Sequence, residues 1–147
     1  MVEYRELSIR LGMNLKFALF LFEKIIPCKA RDNIYNAPIV FVGESFYLIG
    51  GAVDNYYVQS TNTIGRFNTQ TRKWTQAGQL ISKRFAHGAI FDGSSIIVIG
   101  GRYEQKTETC KISNGQVSCK EQSLSLMNCA FYPELYLVDE NYCKTKP

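Results

Sequence analysis

The chain has 147 residues, 46% of them hydrophobic, and a formal net charge of +4. That length suits one domain with a core of its own, and no apolar run reaches the roughly 18 residues that read as a membrane-spanning helix. Lysines and arginines are spread along the chain apart from short pairs such as Lys83-Arg84, so the dense basic stripe that would point to nucleic acid is missing.

Residues 1–36 come first and stand apart. Leu7, Leu11, Leu15, Ala18, Phe22 and Ile25 recur at three- and four-residue steps, with Arg10, Lys16, Glu23 and Lys24 between them, which predicts a helical stripe that Pro27 would stop. A rival reading starts a secretory signal at Met13, with Lys16 ahead of the apolar core Phe17 to Phe22. That core is shorter than the about 7–15 residues of such signals, and Glu23 closes it. A third reading makes the segment the end of a preceding repeat. None of the three assigns it any chemistry.

From Ala37 the pattern changes to short strands. Val40-Phe41-Val42, a turn at Gly43-Glu44-Ser45, and Phe46-Tyr47-Leu48-Ile49 predict a hairpin ending in Gly50-Gly51. Four consecutive apolar residues leave no polar face, so the second strand is expected to be covered on both sides. The diglycine lets the chain leave the sheet at positive φ or approach other backbone closely. A polar and aromatic loop through Asp54, Asn55, Tyr56 and Tyr57 follows. Next come a strand over Thr63 to Phe67, a turn over Asn68 to Arg72, and a fourth strand from Lys73 that ends at Ala77-Gly78.

The unit then returns. Ala89 to Gly101 laid over Ile39 to Gly51 gives six identities in thirteen positions at a spacing of 50 residues: Phe41/Phe91, Gly43/Gly93, Ser45/Ser95, Ile49/Ile99, Gly50/Gly100 and Gly51/Gly101. Arg102-Tyr103-Glu104 begins a shorter loop, and Thr107 to Ile112 reads as a strand. Asn114-Gly115 is the strongest two-residue hairpin signal, and Gln116 to Lys120 forms the return strand. With that turn, partners sum to 229, so Cys110 faces Cys119 at a non-hydrogen-bonded pair, where Cα atoms are about 4.5 Å apart and within disulfide reach. From Leu124 a third copy begins with Asn128 to Tyr132, a Pro133-Glu134 turn and Leu135 to Val138, but Asp139-Glu140 stand where a diglycine would be.

A period near 50 with one diglycine per copy, and an aromatic residue and a tryptophan seven apart across a polar turn (Phe67 and Trp74), resembles the kelch repeat, whose copies are four-stranded blades of a β-propeller. The resemblance covers most of Ala37 to Ile99. It implies an all-β fold: an incomplete kelch-type propeller of antiparallel four-stranded blades, after an N-terminal segment 1–36 that is helical or irregular. The expected organisation is a blade over 37–86, a second over 87–126 and a partial or degenerate third repeat over 127–147. Gly50, Gly51, Phe67, Trp74, Gly100 and Gly101 are then structural, with Trp74 wedged between blades. Because a propeller needs more blades, the apolar faces left open imply self-association, or a cover supplied by residues 1–26.

Catalytic readings find little support. His87, the one histidine, stands at the start of a predicted strand, where anchoring a turn is the simpler role. The spacings of Cys28, Cys110, Cys119, Cys129 and Cys143 contain no C-x-x-C zinc pair, no phosphate loop is present, and one histidine cannot supply the ligands of a copper propeller oxidase. No enzyme activity, cofactor or metal is therefore expected.

Two functions stay open. In one, a non-enzymatic scaffold, a protein partner is held on Asp54, Asn55, Tyr56, Tyr57, Lys83, Arg84, Arg102, Tyr103 and Glu104, which lie in loops joining strands and blades. In the other, a disulfide-stapled propeller belongs to a secreted or extracellular protein. An oxidised Cys110–Cys119 pair favours secretion over the cytoplasm; the absence of an N-x-[ST] sequon and a fifth, unpaired cysteine argue against it.

Overall fold

Apolar runs broken by tight polar turns fold as the sequence predicts, into consecutive antiparallel strands. The computed structural model describes residues 34–53, 56, 59–102, 104–125, 133 and 135. The expectations placed on residues 1–33, on Cys28, Cys129 and Cys143, and on most of 127–147 lie outside that range.

Strands β1 (Ile39–Val42), β2 (Ser45–Ala52), β3 (Ser60–Asn68) and β4 (Lys73–Gln79) pair in sequence order, each antiparallel to the next. Strands β5 (Gly88–Phe91), β6 (Ser95–Ile99), β7 (Lys106–Ser113) and β8 (Gln116–Ser125) repeat the arrangement. The turns carry the chemistry their sequences announce. Asn68 Oδ1 accepts hydrogen bonds from the amides of Gln70 and Thr71 between β3 and β4. Asp92 Oδ1 does the same for Ser94 and Ser95 between β5 and β6. Asn114 and Gly115 both take positive φ, 51° and 76°, as a type I′ hairpin requires.

One difference from the sequence reading concerns the diglycines. β6 stops before Gly100, but β2 runs through Gly50 and Gly51 to Ala52, bulging between Ile49 and Gly51. The extension holds because Ala52 exchanges two backbone hydrogen bonds with Tyr35, at 2.8 and 2.9 Å.

The two strand sets pack face to face. Val40, Tyr47, Ile49, Ile64, Ala77 and Leu80 of the first meet Ile96, Val98, Cys110 and Val117 of the second in one buried cluster. The outermost strands join in parallel at only two pairs, Gly78 with Val117 and Gln79 with Ser118. Gly78 permits this, since a Cβ there would overlap the Val117 carbonyl. The result is one sheet of order β1-β2-β3-β4-β8-β7-β6-β5 whose terminal strands, β1 and β5, approach each other.

Trp74 does not stand between the two described sets. It pairs with Phe67, and successive side chains of a strand point to opposite faces, so both stand on the face turned away from the second set. There Phe41, Phe46, Phe67 and Trp74 form a continuous row, with ring centroids 4.8, 6.5 and 5.3 Å apart. Its indole also passes within van der Waals reach of where a Gly65 side chain would begin. Trp74 thus braces its own strand set and does not wedge the two described sets together.

The cross-strand disulfide is present. Cys110 and Cys119 are directly opposite in the predicted register, with Cα atoms 3.9 Å apart, slightly closer than the 4.5 Å typical of such a pair. Because the bridge closes a loop of only nine residues, its removal in a Cys110→Ser, Cys119→Ser chain should cost stability at the low end of about 2–4 kcal/mol. Intact mass before and after reduction checks the bond itself. Two thiols that alkylate freely in protein from its native source would show that it does not form there.

Candidate functional site

The diglycine end gathers the connections that leave the sheet. They are the loop after β2, the connector Leu80 to His87, and the loop after β6. The connector threads between the two diglycines. A Cβ on Gly50 would lie 2.8 Å from the Arg84 carbonyl and 3.0 Å from His87 Cε1. One on Gly101 would lie 3.0 Å from the Phe85 carbonyl and 3.2 Å from His87 Cβ. Gly50, Gly51, Gly100 and Gly101 all take positive φ, at 57°, 110°, 70° and 115°. Both needs select glycine: a backbone that side chains resist, and space that a methyl would fill. The Gly51 amide donates to the Arg84 carbonyl at 2.9 Å and the Arg102 amide to the Phe85 carbonyl at 3.1 Å.

Arg84 holds this cradle together from inside. It is fully buried, so its expected place on an exposed binding loop is corrected. Its Nη1 donates to the carbonyls of Gly100 and Lys106, and its Nη2 to Glu108 Oε1 at 2.6 Å. Glu108, equally buried on β7, also accepts from the amides of Ile81 (2.7 Å) and Ser82 (3.0 Å). One carboxylate therefore ties the connector to β7 by three charge-assisted hydrogen bonds, the strong kind. The sequence reading missed Glu108, although a signal was there. It shares strand parity with Cys110 and Ile112, so an inward-facing Cys110 requires an inward-facing carboxylate that needs a cation.

Neither imidazole nitrogen of His87 has a hydrogen-bond partner of good geometry among the described residues. Burial, and then the Arg84 charge, lower its pKa to about 3, with the Ile49 backbone pulling weakly the other way. The ring is neutral at ordinary pH.

The exposed rim surrounds this buried network. Tyr56 is 79% exposed. Lys83 is exposed, and Arg102 and Glu104 are half-buried, with the Arg102 guanidinium 5.8 Å from the Phe85 ring centre. Burial pushes the Glu104 carboxyl up. Hydrogen bonds from the Lys106 amide and the Ser82 hydroxyl, together with the Arg84 charge, outweigh it and leave the group below its ordinary value. Asp54, Asn55, Tyr57 and Tyr103 lie outside the described residues. Two apolar side chains that the sequence reading did not single out also face solvent here, Val53 and Ile81, the latter 56% exposed.

For metal or acid–base chemistry the end offers little. Glu108 Oε lies within 4.8 Å of the sulfurs of Cys110 and Cys119, but those sulfurs are bonded to each other and the carboxylate is taken by Arg84, Ile81 and Ser82. What the arrangement provides is a rigid platform under exposed loops.

No protein-family model matches the chain. Kelch-like protein 25 of Rattus norvegicus, and that of Mus musculus, are each 28% identical to it over 95 residues, or 65% of the chain. The chain spans about 14% of the length of these curated relatives. The solved structure of YjhT superposes with a TM-score of 0.56 at 16% identity, over 71% of this chain and 36% of that one, a likeness of fold.

Proposed function

We propose that this chain, which belongs to the kelch-repeat β-propeller family, is a non-enzymatic module that holds a protein partner on the loops at its diglycine end. The observation that carries the reading is the contrast at that end. Tyr56, Val53 and the Ile81 side chain are exposed, while the connector that carries Ile81 is pinned by Arg84 and Glu108. Loops fixed from below lose little entropy on binding, and tyrosine combines large contact area with a directed hydrogen bond. The contacts we assign are Asp54, Asn55, Tyr56, Tyr57, Lys83, Arg102, Tyr103 and Glu104, with Ile81 and Val53 added and Arg84 withdrawn. Against catalysis, Glu108 and Arg84 are spent on each other, and the only histidine is enclosed.

Alanine at Tyr56, Tyr57, Tyr103 or Ile81 should weaken a partner recovered by pulldown by more than about 1 kcal/mol for at least one position, with the melting temperature unmoved. Unchanged affinity for all four, or binding lost only in step with stability, would move the interface elsewhere. The Cys110–Cys119 disulfide favours a second reading, a stapled structural propeller in a secreted or extracellular protein. Reduced thiols in native protein would remove its support.

A further inference from the structure

His87 is held where both diglycines converge. Its ring reaches the space that a side chain on Gly50 of β2 would need, and its Cβ the space beside Gly101 after β6. The imidazole thus bridges the ends of the two strand sets, 5% exposed, with no hydrogen bond of good geometry to either nitrogen among the described residues and only a weak pull from the Ile49 backbone. A buried polar group left this way stays only while the surrounding contacts are closed. We propose that the His87 cradle is an acid-sensitive latch: as the pH falls, an open form with a hydrated, protonated ring gains on the closed form, and the two diglycine ends part together with the loops they carry.

The charges around the ring decide the direction. β2 presents the backbone of Ile49 and Gly50, while its one titratable side chain, Tyr47, lies in the core cluster. The connector brings Arg84, and β7 brings Glu108, whose carboxylate is already shared by Arg84 and the amides of Ile81 and Ser82. The loop after β6 brings Arg102 and Glu104, the latter accepting from the Lys106 amide at 2.9 Å. A proton on the closed ring would therefore sit beside an arginine with no carboxylate left to balance it. In water the ring takes a proton near its ordinary value of about 6.5, whereas the closed ring holds out to about 3. Between those values the open form binds more protons. The closed form's advantage is therefore complete above about pH 6.5 and shrinks as the pH drops through it.

Because the chain has one histidine, no other side chain has its ordinary titration between about pH 5 and 7.5. Hydrogen exchange of the full chain tests the latch at three amides that bridge it: Gly51 to the Arg84 carbonyl, Ala86 to the Asn36 carbonyl and Arg102 to the Phe85 carbonyl. Their protection, corrected for intrinsic exchange, should fall about 30-fold from pH 7.5 to pH 5.0, and should stay level in His87→Gln. An equal fall in His87→Gln, or none in the native chain, overturns the proposal. If that variant does not fold, NMR of the native chain decides: an imidazole Cε1 proton that holds its shift from pH 8 to pH 5 supports the latch, and one that titrates near 6.5 in the folded protein overturns it.

Discussion

Glu108→Ala should destabilise the chain by about 3–5 kcal/mol, the cost of removing one partner of a buried ion pair. The reason is what remains behind. Arg84 would keep its charge without the one carboxylate bonded to it, leaving only the unbonded charge of Glu104 nearby, and the Ile81 and Ser82 amides would lose their acceptor. A loss of that size is a large share of the about 5–15 kcal/mol that holds a domain folded. Denaturant midpoints measure it. The joint replacement Arg84→Met with Glu108→Leu should recover most of the loss, because then no charge is left unpaired. Glu121→Ala, which breaks the exposed pair between Lys106 and Glu121, should leave the midpoint almost where it was. If Glu108→Ala behaves like Glu121→Ala, Arg84 is solvated and the cradle is not closed.

Gly51→Ala should cost about 2–6 kcal/mol, the sum of about 1–3 for a side chain forced into a glycine conformation and about 1–3 for crowding. At φ 110° its Cβ would overlap Ile34 Cγ2 and lie 2.8 Å from Ala37 Cβ and 3.0 Å from the Tyr35 carbonyl. Gly93 separates the two contributions. Its φ is 99°, but nothing lies within 4 Å of a Cβ built there, so Gly93→Ala should show the backbone cost alone. Equal losses at the two positions would mean that the diglycine is selected for φ only and that close packing of Ile34 and Tyr35 against it contributes nothing.

The blade pattern could be read from the sequence because its signals are local. Asn114-Gly115 fixes a two-residue turn, the turn fixes the register, and the register places Cys110 opposite Cys119. Each step involves residues close in the chain. Likewise the spacing of 50 residues and the two diglycines locate the repeat before any packing is known. The interior of the rim was not legible in the same way. Lys83-Arg84 in a loop looks like exposed charge, and only the fold shows that a carboxylate 24 residues on turns Arg84 inward. Trp74 stacks on Phe67, and which face of the strand it covers depends on the bulge-bearing pairing of β3 with β4.

What the sequence by itself determined, then, is the succession of strands along the chain, the register of the Asn114-Gly115 hairpin, the disulfide and the need for glycine at the ends of β2 and β6. These follow from turn chemistry and alternation, which act over a few residues. Only the tertiary structure decided that the two strand sets face each other across Tyr47, Ile49, Ile96 and Val98, that Arg84 and Glu108 lock the connector, and that His87 sits enclosed between two diglycines. Burial and charge pairing depend on which surfaces meet, and residues distant in the chain are free to meet in many ways until the packed core selects one.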